Sequence, residues 1–432
     1  MKLDVGIINI KDFCFGSKSE VQNGTLFIDK KALNDYILGL DSRIVELELE
    51  IVKPGDEVRV MPVKDVLEPR VKVEGEGCIF PGFNTGEEAI VGSGRTHVLK
   101  GVAVVTTGHV VGFQEGIIDM TGPGAQYTPF SRTMNLVVRA EVDEHCKSNQ
   151  YQHEAVLRRI GQGVARWIGE LGRSIEPDEI KSYETLPLPQ QLQAYPDLPK
   201  VGYVYMLQSQ GLLHDTYYYG VDVKNIVPTI MYPTEAMDGA ITSGNCVSAC
   251  DKNPSYVHQN SPIIEELYKR HGKDYNFVGV IITNENVTLA DKERSSNMVT
   301  KLAVQLGLDA AIVSEEGFGN PDADLMMNCR KLTAAGIKTV LLTDEYAGWM
   351  GESQSLADAH PSADAVVTNG NANQIIELPA IKRVIGHSNY ADVIAGGFDG
   401  SLHADGSISV EIQAITGATS ELGFHYLTTR AG

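Results

Sequence analysis

Apolar and polar residues alternate along much of the first third of the chain. In residues 44–52 the alternation sets apolar against acidic positions, which is typical of a β-strand with one buried and one wet face. The other predicted strands are residues 3–10, 24–28 and 57–63, with a short helix at 31–37. Such strands usually form antiparallel sheets, so residues 1–140 are predicted to be a β-rich domain.

The periodicity becomes helical after this region. Between His153 and Leu171 the apolar residues fall on one helical face, and Gly161 and Gly163 would let that face pack closely. Several prolines follow in residues 174–200. Residues 141–200 are therefore predicted to be a helix followed by a proline-containing linker.

From residue 201 onward, short apolar runs alternate with helical stretches. The predicted strands are residues 201–207, 276–283, 310–314, 338–343 and 363–368. Helices are predicted at 291–306 and from Asn320 to Gly336. Strands separated by helices form a parallel sheet with right-handed crossovers. The chain is thus predicted to be mixed α/β, with a β-rich N-terminal part followed by a mainly parallel α/β domain over residues 201–432.

Composition narrows the classes of function. The 432 residues contain 36 Lys and Arg against 56 Asp and Glu, a net charge of −20, which argues against nucleic acid or an anionic membrane surface as a partner. Six cysteines in a chain of this length do not predict a disulfide framework. The sequence predicts neither a secretory signal nor a spanning segment, and therefore a cytoplasmic protein.

Polar clusters follow the predicted parallel strands. They are residues 284–286, 314–317, 344–345 and 369–371. Open α/β sheets bind ligands beyond the carboxyl ends of their strands, so these loops are predicted to form a pocket wall. The acidic residues could also form a divalent-metal cluster, but helix N-termini attract carboxylates as well. No metal ligand and no separate cofactor-binding residue is assigned.

A glycine-dense segment raises a second possibility for ligand binding. Residues 92–97 (Gly-Ser-Gly-Arg-Thr-His) could hold an anion with backbone N–H groups or simply make tight turns. Neither a P-loop nor a dinucleotide fingerprint is present. Arg95 could pair with a substrate carboxylate, or with a carboxylate of the protein itself.

The stretch of residues 243–250 carries the most distinctive chemistry. Gly244 and Asn245 favour a bent backbone and are followed directly by Cys246. A thiol in that position can attack the preceding carbonyl, the first step of backbone self-cleavage between Asn245 and Cys246. The plainer interpretations are a buried cysteine, or a metal or redox pair formed with Cys250.

Several long motifs resemble one known family. They are residues 63–72, 91–97, 112–120, 207–216, 231–253, 281–287 and 395–401. Together they are similar to the proprotein subunit of component B of the glycine, sarcosine and betaine reductases of amino-acid-fermenting anaerobes. The similarity extends from one end of the chain to the other.

This resemblance implies a specific maturation and activity. The precursor would cut itself into residues 1–245 and 246–432, and Cys246 would become a pyruvoyl group, the covalent cofactor. That group would form a Schiff base with the amine of the substrate. The partners implied are a second, selenoprotein-type subunit of component B and selenoprotein A. His214, beside Asp215, is a candidate proton shuttle, with a structural histidine as the alternative.

Two other functions fit a self-cleaving or cysteine-bearing segment. One is a hydrolase whose new N-terminal Cys246 keeps its thiol and acts as the nucleophile. The other is a binding subunit in which Cys246 is buried and no cleavage occurs. Fragment size and the chemistry of the new N-terminus separate these possibilities from the pyruvoyl enzyme.

Overall fold

The computed structural model describes residues 1–84, 89–112, 114–211, 216–244 and 252–419. The strands in chain order are β1 Lys2–Asn9, β2 Asp12–Gly16, β3 Glu20–Gln22, β4 Thr25–Asp29, β5 Ile44–Val52, β6 Val58–Leu67, β7 Arg70–Glu74, β8 Gly94–Lys100, β9 Val102–Gly108, β10 Gly116–Asp119, β11 Met134–Val142, β12 Glu179–Glu184, β13 Lys200–Leu207, β14 Thr216–Tyr218, β15 Val221–Asp222, β16 Thr229–Met231, β17 Ile241–Ser243, β18 Asn276–Asn284, β19 Ala310–Ser314, β20 Lys338–Glu345, β21 Val366–Asn371, β22 Ile375–Leu378, β23 Arg383–Gly386 and β24 Ile408–Glu411. The helices are α1 Lys30–Leu40, α2 Glu144–Lys147, α3 Gln150–Glu170, α4 Leu188–Ala194, α5 Pro233–Met237, α6 Ser255–Gln259, α7 Pro262–Arg270, α8 Leu289–Gln305 and α9 Asn320–Ala334.

The first part of the chain forms two main sheets, as its alternating pattern predicts, but they are mixed rather than antiparallel, because β1 pairs parallel with β8 and β9 pairs parallel with β11. One has the order β12-β1-β8-β7, and the other has the order β10-β6-β9-β11-β5. Two strands from later in the sequence complete them, because β12 pairs antiparallel with β1 and β23 pairs parallel with β6. The sheets are therefore built mostly, but not only, from residues 1–140.

Helix α3 packs against this β-rich region. Its N-cap Asn149 accepts a hydrogen bond from the backbone N–H of Gln152, which satisfies a donor that the first helical turn leaves free. The buried face repeats every four residues at Val156, Ile160, Val164 and Ile168. The predicted close approach is confirmed at Gly161, where a Cβ would lie 2.9 Å from Leu67 Cδ1.

The second part is the predicted α/β layer. Its sheet has the order β16-β18-β13-β19-β20-β21, and all neighbours are parallel except β16 with β18. Val299 and Ala303 of α8 and Leu325 and Leu332 of α9 are buried against it. The mixed α/β fold is therefore confirmed, although the last parallel strand begins at Val366 rather than residue 363.

A small three-stranded sheet contains the strand that leads into residues 243–250. It has the order β15-β14-β17, and β17 ends at Ser243. Its antiparallel register places Thr216 opposite Ser243. Among the described ranges, no helix is both long enough and apolar enough to cross a bilayer.

Candidate functional site

The sequence-predicted site residues Asn245, Cys246, Cys250 and His214, together with Asp215, lie outside the described residues. Their chain neighbours are described, however, and they converge. Thr216 follows the His214–Asp215 pair, Ser243 precedes the Asn245–Cys246 bond, and the two are partners in the β14–β17 ladder. The fold therefore fixes the described ends of both segments beside one another.

Strand β17 is held at its end by a buried serine–carboxylate pair. The backbone N–H of Ser243 donates to Ser255 Oγ at 2.9 Å. Ser255 Oγ donates to Asp65 Oδ2 at 2.6 Å, and the backbone N–H of Ser255 donates to Asp65 Oδ1 at 2.9 Å. Because all three residues are buried, leaving any of these groups unpaired would be costly. The peptide unit between Thr242 and Ser243 is thus fixed in position.

The next carbonyl along the chain is held by a buried amine. Lys252 Nζ donates to the carbonyl oxygen of Gly244 at 2.6 Å and also to the carbonyl oxygen of Lys64. Lys252 is buried and lies beside Asp65. Burial raises the pKa of the Asp65 carboxyl, and the Lys252 charge and the Ser255 hydrogen bonds oppose this effect without cancelling it. A lysine thus contacts the backbone two residues before Cys246.

A second buried lysine lies next to Asp65 in β6. Lys64 Nζ donates to Glu115 Oε1 at 2.5 Å and to the carbonyl oxygen of His109 at 2.7 Å. Both side chains of this ion pair are fully buried. Burial alone would raise the pKa of Glu115, but the Lys64 ammonium holds it below its ordinary value. Lys64 and Glu115 therefore form a buried ion pair, and the backbone carbonyl of the same Lys64 accepts the hydrogen bond from Lys252.

A carboxylate from one of the polar clusters at the carboxyl ends of the parallel strands also contacts this region. Glu316, after β19, accepts hydrogen bonds from the backbone N–H of Asn253 at 2.9 Å, from that of Gln208 at 2.7 Å and from Thr216 Oγ1 at 2.9 Å. Burial alone would raise the pKa of Glu316, but nearby His258 and the backbone donors hold it below its ordinary value. Glu316 therefore contacts residues that flank both predicted segments.

A histidine lies behind Glu316. His258 Nε2 is 3.3 Å from Glu316 Oε1, and His258 Nδ1 is 2.6 Å from the hydroxyl of Tyr205. Both His258 and Tyr205 are fully buried. The neutral imidazole has one donor and one acceptor nitrogen, so the direction of the hydrogen bond between His258 Nδ1 and the Tyr205 hydroxyl depends on the tautomer.

A second carboxyl of the same edge behaves differently. Glu285, after β18, accepts a hydrogen bond from the backbone N–H of Glu316 at 2.9 Å. Burial, together with the charges of Glu315 and Glu316, raises the pKa of Glu285 well above its ordinary value. Adjacent carboxyls with pKa values pushed apart are a recurring feature of acid–base sites.

The glycine-dense segment binds an anion of the protein itself. The backbone N–H of Gly92 donates to Asp238 Oδ2 at 2.7 Å, and Thr96 Oγ1 donates to Asp238 Oδ1 at 2.5 Å. Lys72 completes the arrangement by pairing with the same carboxylate. Arg95 lies 3.7 Å from Glu74, so its nearest described carboxylate is internal. This segment therefore anchors the cap of α5 within the motif of residues 231–253.

Sequence reasoning missed several residues of this region: Lys64, Asp65, Lys252, Ser255 and His258. One signal was available, since Lys64 and Asp65 are consecutive charges inside β6, whose other residues are apolar apart from Arg59. Within the described residues there is no group of three or more His, Cys, Asp or Glu side chains that could hold a metal ion.

The fold and this region define a mixed α/β protein with a buried, charged centre at the carboxyl edge of its parallel sheet. The chain belongs to the family of glycine/sarcosine/betaine reductase component B subunits, whose model matches residues 1–430. It is 64% identical over 432 residues to the glycine reductase complex component B subunits alpha and beta of Acetoanaerobium sticklandii, covering 100% of both chains.

Two further relatives belong to sister complexes of Peptoclostridium acidaminophilum. The sarcosine reductase complex component B subunit alpha is 55% identical over 430 residues, covering 100% of both chains. The betaine reductase complex component B subunit alpha is 41% identical over 429 residues, covering 96% of each chain. No solved structure matches the chain.

Proposed function

We propose that this chain is the substrate-activating subunit of an amino-acid reductase complex and that it matures by cutting itself between Asn245 and Cys246. The full-length similarity to component B subunits supports the oxidoreductase role. One relative's name assigns two subunits, alpha and beta, to a single chain that aligns with this one throughout. That description favours a precursor that yields two products, residues 1–245 and 246–432.

The cleavage requires no co-reactant other than water. The Cys246 thiolate attacks the Asn245 carbonyl, so that a thioester replaces the peptide bond and the Cys246 amine is released. Loss of the Cys246 α-proton expels the sulfur with the Asn245 acyl group and leaves a dehydroalanine. Tautomerisation and hydrolysis then release ammonia and leave a pyruvoyl group on Val247. Water hydrolyses the expelled thiocarboxylate to a carboxylate, and the sulfur leaves as hydrogen sulfide.

Lys252 supports the proposed self-cleavage because it binds the backbone just before the bond that would be cut. Its contact with the Gly244 carbonyl fixes the peptide unit next to the one that the thiolate attacks. Consecutive Cα atoms are only about 3.8 Å apart, so a misplaced Gly244 carbonyl would also misplace the reacting carbonyl. We assign Lys252 as a positioning residue for the acyl shift, with the Ser243–Ser255 hydrogen bond as the second anchor.

The mature group would serve the reduction as an electron sink. A pyruvoyl ketone that condenses with an amine withdraws electrons from the substrate's C–N bond, which favours loss of the amine. Glu316 and Glu285 line the neighbouring strand ends with opposite pKa shifts, so one is suited to hold a negative charge and the other a proton. A selenoprotein subunit and selenoprotein A are the proposed partners, in keeping with the relatives' names as components of complexes.

The experiment that tests the proposal is substitution at the two neighbouring cysteines. We expect Cys246→Ala to yield only full-length, inactive chain, while Cys250→Ala is still cut. Assays of the reconstituted complex with glycine, sarcosine and betaine then identify the substrate, and glycine is expected to be the most active. Cleavage of the Cys246→Ala chain would refute the assignment. A small fragment that keeps its thiol and a free amine would point instead to a hydrolase.

A further inference from the structure

A polar pocket lies beside helix α3 and the turn at Gly220. It has a volume of about 430 Å³. Its lining comes from the end of α1 and the residues after it, one face of α3, the loop at Gly82 and the turn at Gly220. Nothing in the proposed maturation uses this pocket.

The pocket is positively charged in a chain that is strongly negative overall. Three guanidinium groups and one carboxylate line it, whereas the whole chain carries a net charge of −20. Asp41 is paired with Arg43, whose Nε donates to Asp41 Oδ1 at 2.8 Å and whose Nη2 donates to Asp41 Oδ2 at 2.7 Å. The hydrogen bond from Arg43 lowers the pKa of Asp41, and the charge of Arg159 lowers it further. Arg158 is paired with the buried Glu154, so among the described residues the positive charge of the lining that no carboxylate pairs is that of Arg159.

Two of the lining arginines are held in place by neighbouring side chains. Arg158 is oriented by Glu154 at 2.8 Å and by the ring of Tyr217, 3.8 Å from its guanidinium carbon. Arg159 lies over the ring of Phe83 at 5.1 Å and, within the described ranges, has no carboxylate within 4.0 Å. Guanidinium groups held in this way present donors in a fixed fork that matches a carboxylate or a phosphate.

The shape of the pocket is built by close backbone contact. Gly82 and Gly220 both have positive φ, at 87° and 72°. A Cβ on Gly82 would lie 2.5 Å from the carbonyl oxygen of Tyr219, and one on Gly220 would lie 3.0 Å from the Cα of Gly82. Only glycine fits both requirements, so neither position can place a side chain in the pocket.

The pocket is also coupled to the strand that leads to the candidate site. Gln162, in its wall, donates from Nε2 to Thr242 Oγ1 at 3.2 Å. Thr242 lies in β17, two residues before Gly244, whose carbonyl binds Lys252. A ligand that contacts the exposed face of α3 would therefore act on the same sheet that positions the proposed cleavage segment.

We propose that this arginine-lined pocket is a binding site for a small oxyanion, either a carboxylate or a phosphate, which would accept hydrogen bonds from Arg159 and Arg158. The proposal does not depend on self-cleavage, because the charge and shape of the pocket carry it. A water occupies about 30 Å³ in the liquid, so the pocket has room for such an anion together with ordered waters.

Isothermal titration of the intact protein with sodium phosphate and, separately, with sodium acetate tests the proposal. Ionic strength is held constant with chloride, since screening weakens such contacts. We expect saturable binding of one anion with a stoichiometry of one, at least tenfold weaker in Arg159→Gln. The matched control is Arg294→Gln, an exposed arginine that pairs with Asp291 on α8 and should bind like wild type.

The two arms distinguish the ligands, because preference for acetate assigns a carboxylate site and preference for phosphate a phosphate site. Arg159→Lys keeps the positive charge but loses the planar set of guanidinium donors, so this variant should bind the anion with intermediate affinity. Its circular dichroism spectrum should match that of wild type. Equal, non-saturating heats for wild type and Arg159→Gln would overturn the proposal. So would full binding by a folded Arg159→Gln.

Discussion

The Nζ of Lys252 donates a hydrogen bond of 2.6 Å to the carbonyl oxygen of Gly244. The amine is buried and the carbonyl belongs to the residue just before the Asn245–Cys246 bond. This contact connects a residue after the proposed cleavage point with a residue before it. A side chain of the proposed second product thus binds the backbone near the end of the proposed first product.

Lys252→Met should therefore slow the conversion of full-length chain into two fragments. Loss of a preorganised donor in an acyl-transfer site costs about 10²–10³ in rate, and a donor one peptide unit away should cost about tenfold or more. The rate is measured on a denaturing gel over time after synthesis. Lys252→Arg keeps a donor and should recover part of the rate, which a change in folding alone would not produce.

The matched control for this variant is Lys269→Met. Lys269 is exposed on α7 and pairs with Glu266. It should cleave at the wild-type rate. If Lys252→Met also cleaves at that rate while wild type is processed normally, Lys252 has no positioning role, and self-cleavage itself remains intact.

The buried Lys64–Glu115 pair predicts an asymmetric response to substitution. Glu115→Gln leaves the Lys64 charge buried without its partner, which should cost about 3–5 kcal/mol of unfolding free energy. Replacing both residues, as in Lys64→Met with Glu115→Leu, should recover most of that loss. Urea unfolding of the chain measures both values.

An exposed pair provides the comparison. Lys18 and Glu20 are 2.7 Å apart with side chains 69% and 33% exposed. Glu20→Gln should therefore change the unfolding free energy by less than about 1 kcal/mol. A Glu115→Gln loss as small as that of Glu20→Gln would mean that the Lys64 ammonium is not buried in the folded protein.

Glu285 predicts a pH dependence of stability with a definite sign. Its folded pKa is raised well above the ordinary value near 4.5, so folding keeps a proton that the unfolded chain loses. Its contribution to stability is full below about pH 4.5 and is lost as the pH rises through the folded pKa. Glu285→Gln mimics the protonated form and should therefore remove the loss of stability that ionisation of Glu285 causes as the pH rises.

Melting temperatures between pH 5 and pH 9 measure this effect. Relative to wild type, Glu285→Gln should become progressively more stable as the pH rises. Glu352 is exposed, so Glu352→Gln should parallel wild type throughout. Parallel curves for wild type and Glu285→Gln would show that Glu285 ionises normally in the folded state.

The sequence predicts the individual strands and helices of this fold better than it predicts which strands pair with one another. The alternation of β5 and the strand–helix repeats after residue 201 correspond to real strands and helices, because each pattern reflects burial of one face. The addition of β12 to β1 and of β23 to β6 was not predictable. Those pairings join residues more than 170 positions apart, and no local pattern encodes them.

The same limit applies to the candidate site. The carboxylates after β18 and β19 were predicted from strand ends alone, since parallel strands bring their carboxyl ends to one edge. Ser255 and Lys252 were not predicted, because a serine or a lysine has no periodic signature. Their roles depend on contacts with Asp65 and Lys64, which lie 190 and 188 positions earlier in the sequence, respectively.

The mass of the mature chain tests the central claim most directly. Mass spectrometry of protein purified from its native source should give two polypeptides, residues 1–245 and residues 246–432. The smaller should begin with a pyruvoyl group, lack the Cys246 sulfur and resist Edman degradation. A single unbroken species of 46.9 kDa that still supports substrate turnover would contradict the account.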